Sequence, residues 1–141
     1  MATPFDSPQE FKAVMDRGFA LMSEDPDMGP KLRDADVPMR YEFEDVDLVV
    51  NIRAAAPGED GTLHWRWTDD VDWEPRVKMA MSSETANKYF QGKENAALAI
   101  ARRRIKAGGD VKAALALMPI TKPVFGRYRA MLEDEYPHLV V

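Results

Sequence analysis

The chain contains no cysteine. Disulfides, thiolate metal sites and cysteine nucleophiles are excluded together. Histidine is almost as scarce, with only His64 and His138. His64 sits on the polar side of an alternating stretch, and His138 stands close to the last residue. Neither adjoins a serine nucleophile motif, and no Gly-x-Ser-x-Gly occurs. Gly-x-x-x-x-Gly-Lys and Gly-x-Gly-x-x-Gly are also missing, so a phosphate-cradling loop has no sequence support. No apolar run approaches the ~18 residues that suggest a membrane span. The opening "MATPFDSPQEF" lacks a basic-then-apolar leader, and the closing "HLVV" is not a Ser-Lys-Leu address. The expected location is the cytoplasm, with no integral membrane segment.

What is present is a globular composition. The 141 residues are 45% hydrophobic and 30% charged, and a single domain over 1–141 is expected. Charge is unevenly spread around the net −5. Residues 1–75 hold 7 Lys/Arg against 18 Asp/Glu, and residues 76–141 hold 12 against 6. The asymmetry implies two distinct surfaces or a contact with a partner or second copy.

The start reads as a helix. Ser7 is placed as N-cap, Pro8 at the first helical position and Glu10 three residues on, the pattern of a capping box. Phe11, Val14, Met15, Gly18, Phe19 and Met22 then share one face. Pro26 ends it, leaving room for at most a short helical turn before Pro38. Four period-two stretches follow, "MRYEF", "DLVVNI", "TLHWRW" and "RVKMAM", each with one apolar face. Serine caps then announce "SSETANKYF", which Gly92 stops. "ENAALAI" reads as a short helix or turn. "ARRRIKAGG" reads as a fifth strand with Ala101, Arg103, Ile105 and Ala107 inward. "DVKAALALMP" is a short helix capped by Asp110, and "TKPVFGRYRAMLEDEYP" is a closing helix. The expected fold is α+β: a five-stranded, mostly antiparallel sheet with helices on one face. Reached through a helical crossover, the fifth strand is expected to pair in parallel.

The charged clusters read as solvated structure. Asp69, Asp70, Asp72 and Glu74 lack the spacing of a calcium loop. Asp110, at the start of a helix, occupies the place a phosphate would take. Arg102, Arg103, Arg104 and Lys106 form a local basic patch on an acidic chain, which does not indicate a nucleic-acid partner. No cofactor is called for. Nine methionines, with large aromatic residues, suit either a core or an adaptable apolar pocket.

The stretch "VKMAMSSETANKYFQGKENAALAIARRRIKAGGDVKAALALMP" resembles the sterol carrier protein type 2 domain. A strand ends in a small polar pair. A helix then ends in an aromatic residue before Gly-Lys, and a short apolar helix follows. A basic-apolar strand runs through Gly109-Asp110 into another apolar helix. The leading helix and strands fit in order but more loosely. The resemblance implies a five-stranded sheet under helices, with a hydrophobic tunnel between them that takes sterols, fatty acyl chains or other lipids without catalytic residues. Three departures are visible: the missing peroxisomal tail, Ala107 where a larger aliphatic residue is usual, and a longer, more charged closing helix.

The resulting expectation is non-catalytic binding of a hydrophobic small molecule. Its walls are expected at Phe43, Trp65, Met79, Met81, Phe90, Leu115, Phe125, Tyr128 and Leu132. The alternative is an accessory subunit docking on a metabolic enzyme or pairing with a second copy. A lipid-modifying enzyme ranks third for want of nucleophiles and histidines.

Overall fold

The computed structural model describes residues 3–141. The first helix, α1 (Pro8–Glu24), is capped by Ser7, whose hydroxyl accepts the Glu10 N–H at 3.0 Å. The reciprocal half of the box is displaced by one residue: the Glu10 carboxylate accepts the N–H of Asp6. The expected apolar face is buried in full.

The next segment forms more helix than its prolines suggest. α2 (Met28–Ala35) runs through Pro30. Pro30 lies in the first turn, where a missing N–H leaves no bond unmade. The Asp25 carboxylate accepts the N–H groups of Asp27 and Met28 at 2.9 and 2.8 Å, holding the start of the helix.

Five strands follow: β1 (Met39–Phe43), β2 (Leu48–Ala54), β3 (Leu63–Arg66), β4 (Val77–Met81) and β5 (Lys106–Gly109). Between β4 and β5 stand α3 (Ser83–Phe90) and α4 (Ala96–Ala101). The chain ends with α5 (Val111–Thr121), α6 (Val124–Glu135) and a 3-10 turn, Pro137–Leu139. The sheet order is β3-β2-β1-β4-β5, with three antiparallel pairings and one parallel. This is the expected α+β class and mostly antiparallel sheet, but the parallel pair is β1–β4 and not the fifth strand. The two short helices α3 and α4 return the chain to the end where β4 leaves the sheet, so β5 runs back antiparallel.

The arginine run also departs from expectation. α4 extends to Ala101, and the arginines form its terminating turn. Arg103 N–H bonds the Ile100 carbonyl and Arg104 N–H the Ala99 carbonyl, a Schellman pattern with Arg103 at φ 60°. All three arginines are exposed, and β5 begins only at Lys106. Gly109 takes φ +78°, and a Cβ there would collide with the Arg76 carbonyl.

Register sorts the two sheet faces. Met39, Phe43, Val50, Ile52, Val77, Met79 and Met81 point into the core. Arg40, Asn51, Arg66 and Lys78 line up across the other face. That side is partly covered by the loop holding Trp73, whose ring lies 4.8 Å from the Arg53 guanidinium.

Candidate functional site

Between the core face of the sheet and the helices lies an apolar chamber of about 100 Å³. Its floor is Met39, Tyr41 and Phe43 from β1 with Met79 and Met81 from β4. Ala114, Leu117, Met118 and Thr121, spaced to share one side of α5, form the roof. Tyr89 and Phe90 of α3 close one side, and Leu32 of α2 another. Five of the lining residues are methionines, counting Met22 of α1. Flexible thioethers let such a wall adapt to different shapes.

Few polar atoms face the chamber. Tyr89 and Thr121 share a hydroxyl contact at 3.4 Å. The Tyr41 hydroxyl donates only to the Met39 thioether at 3.6 Å, a weak acceptor. Burial, with Tyr89 alongside, pushes the Tyr41 phenol above the ordinary tyrosine range. It stays protonated at neutral pH and remains a donor. Arg53 borders the chamber, but its guanidinium lies on the outer face against Trp73, held by Glu59 through paired bonds of 2.7 and 3.0 Å. Those bonds bring the Glu59 carboxyl down to about 2.

The structure divides the nine expected wall residues. Phe43, Met79, Met81 and Phe90 line the chamber. Trp65 instead packs on Phe19 at 5.6 Å, and its indole N–H donates to Asp16 at 3.0 Å. Phe125 stands behind Tyr89 at 5.4 Å. Tyr128 lies fully buried behind Phe90, its hydroxyl donating to Asn87 at 2.8 Å. Leu132 is likewise fully buried and away from the lining, whereas Leu115 is on the exposed side of α5. Tyr41, Met39, Tyr89, Ala114, Met118 and Thr121 also line the chamber and are outside those nine. For Tyr41 and Met39 a signal existed, since they alternate in step with Phe43 along β1.

Behind the chamber is a buried polar network. Asn87 and Gln91 both donate to the Leu139 carbonyl at 2.9 Å, and Gln91 also donates to the Asn87 side-chain oxygen. It pins the C-terminal 3-10 turn against α3. His64 contacts Glu59 at 3.3 Å beside Trp73, within the covered outer face. Among the described residues, one trio of metal-capable side chains converges: Asp6, Glu10 and His138. Glu10 is already engaged there, bonded to the His138 ring at 2.9 Å and to the Asp6 N–H. The acidic 69–74 loop supplies no such group among the described residues.

A five-stranded mixed sheet roofed by helices over an apolar chamber defines a class of α+β fold. Solved structures give that class a family likeness. A ubiquinone synthesis protein, UbiJ-SCP2, superposes with TM-score 0.61 at 8% identity, over 83% of this chain and 96% of that one. The sterol carrier protein domain 2 of Helicoverpa armigera gives 0.54 at 18%, over 89% and 94%. Sterol carrier protein 2 of Yarrowia lipolytica gives 0.52 at 17%, over 86% and 94%. The chain therefore has a sterol carrier protein type 2-like fold. It also resembles part of a stereoselective inverting sec-alkylsulfatase from a Pseudomonas species, with TM-score 0.59 at 19% identity. This chain spans only 16% of that enzyme's length, and the likeness concerns the fold alone. No family model matches the chain. No curated protein matches it by sequence.

Proposed function

We propose that the chain binds a hydrophobic small molecule with one polar end, a fatty acyl or sterol-like lipid, in the chamber between sheet and α5, without transforming it. The observation that carries this reading is the chamber itself: apolar walls, with Tyr41 as a donor that no strong acceptor satisfies. Apolar burial supplies the affinity at about 25 cal/mol per Å² before ordering costs. A carboxyl or hydroxyl oxygen then takes the Tyr41 hydrogen bond. At about 100 Å³ the chamber is smaller than the roughly 300–1,000 Å³ of ordinary ligand sites. Rearrangement of the methionine walls is therefore part of binding. The sterol carrier names of the structural neighbours point the same way.

Displacement of a fluorescent fatty acid tests the reading, together with native mass spectrometry of protein purified from its own host. We expect a co-purifying lipid and saturable binding. Ala114→Trp, which puts an indole into the roof, abolishes binding. Tyr41→Phe weakens a fatty acid about tenfold or less, as loss of one neutral hydrogen bond implies, and leaves a hydrocarbon probe unaffected. Absence of any bound lipid or probe, together with a reproducible protein partner, establishes the accessory-subunit alternative instead.

A further inference from the structure

The roof helix has an outer side as unusual as its inner one. Lys112, Leu115, Ala116, Pro119 and Lys122 are exposed at spacings that place them on one stripe of α5. Apart from Lys112 the helix contains no charged residue, and only Ala114 is buried. A surface helix ordinarily turns charge outward; one that is apolar on both sides needs a cover. α4, which meets the same chamber through Ala96, also exposes Ala97, Leu98 and Ala101. Among the described residues, Leu98 and Leu115 are two of the three large apolar side chains most open to solvent, at 42% and 38%.

Charge identifies the cover. Residues 92–123 contain 7 Lys/Arg against 2 Asp/Glu, although the whole chain is net −5. Both acidic residues are already paired, Glu94 with Arg104 and Asp110 with Arg76. Among the described residues, Lys93, Arg102, Arg103, Lys112 and Lys122 have no carboxylate within ion-pair reach. Lysines bracketing an apolar helical stripe can keep their ammonium groups at headgroup level while the stripe meets the acyl boundary.

We propose that the outer faces of α4 and α5 dock on an anionic lipid bilayer, placing the chamber's roof against the membrane. Docking would give a water-insoluble ligand a path under α5 that avoids bulk water. The proposal rests on the lipid-binding reading for its purpose, but its test does not.

Flotation of the full chain with vesicles provides that test. We expect association with phosphatidylcholine vesicles containing phosphatidylserine, little with phosphatidylcholine alone, and release as salt rises. Lys112→Glu and Lys122→Glu each lower the association about tenfold or more. Leu115→Ser lowers it several-fold. These positions are exposed, so thermal melting of each variant matches the parent. Equal binding to both vesicle types, no binding at low salt, or binding indifferent to the lysine reversals overturns the proposal. A stoichiometric complex with a soluble protein, broken by Leu115→Ser in the absence of vesicle binding, overturns it too. Fluorescent fatty-acid displacement without vesicles reports the chamber separately, so failure of docking is distinguishable from failure of ligand binding.

Discussion

The chamber has a back and a roof, and they are held by different means. At the back, α1 and α6 bury large side chains completely: Phe11, Val14, Tyr128 and Leu132 are all at 0% exposure. The Tyr128–Asn87–Gln91–Leu139 network locks that side from within. The roof, α5, buries one residue of eleven and borders the chamber. Fully packed elements open only with global unfolding, whereas sparsely buried ones open locally at lower cost. The contrast sets a fully packed frame against a sparsely buried wall over the same sheet.

Matched truncations should expose the contrast most strongly. Leu132→Ala, in the packed back, is expected to lower unfolding free energy by about 2–5 kcal/mol. Met118→Ala, in the roof, removes a partly buried side chain bordering existing space and is expected to cost about 1 kcal/mol or less. It also enlarges the chamber and favours bulkier ligands. Urea denaturation of both variants measures the difference; equal losses would break the distinction between frame and roof. Next in size, Asn87→Ala takes one of two donors from the Leu139 carbonyl, which keeps Gln91, and leaves the Tyr128 hydroxyl without a partner. It is expected to cost about 1–3 kcal/mol and to loosen the C-terminal turn. Hydrogen exchange should then rise at the N–H groups of Leu139 and Val140.

These elements also show where the letters were informative. Side-chain caps and strand alternation were legible because each depends on local chemistry: Ser7, Ser82 and Asp110 cap where expected. The sheet face of Phe43, Met79 and Met81 followed from parity alone. Depth did not. Tyr128 and Leu132 belong to the correct apolar face of α6, but that face packs a layer behind the chamber. Leu115 was misplaced for a different reason: α5 is apolar all round, so no polar side marks which way it turns. The arginine turn was hidden because glycine, not arginine, normally announces a left-handed helix end. α5 continues past Pro119, where the stop was expected, because the Leu115 carbonyl left without its N–H partner lies on the exposed side.

That turn supplies a smaller test on the roof side. Arg103 holds a positive φ that disfavours residues with a Cβ. Arg103→Gly is expected to raise stability by about 0.5–1 kcal/mol, read as a higher urea midpoint with unchanged slope. It also removes one positive charge from the docking face. A variant more stable in urea yet weaker on phosphatidylserine vesicles would separate the two roles of this residue. Reduced stability would show that the Arg103 side chain makes a contact outweighing its backbone strain.

The smallest expected effect lies at the back, where the chain ends meet. The hydrogen bond that His138 donates to Glu10 raises the His138 pKa above its ordinary value of about 6.5, with Asp6 adding to the attraction. Glu10 is lowered in turn, chiefly by the same histidine, against the opposing cost of its burial. A histidine whose folded pKa exceeds its unfolded value stabilises the fold below the unfolded pKa. The stabilisation fades as pH rises through the folded value, and at the acid end it is lost when Glu10 protonates. His138→Gln should therefore melt lower than the parent between those limits and alike above them, as differential scanning calorimetry across pH would show. A difference that grows toward alkaline pH would mean that neutral His138 supports the turn by packing against Tyr136, 6.4 Å away. The clasp on the frame would then be independent of charge, unlike the basic face of the roof.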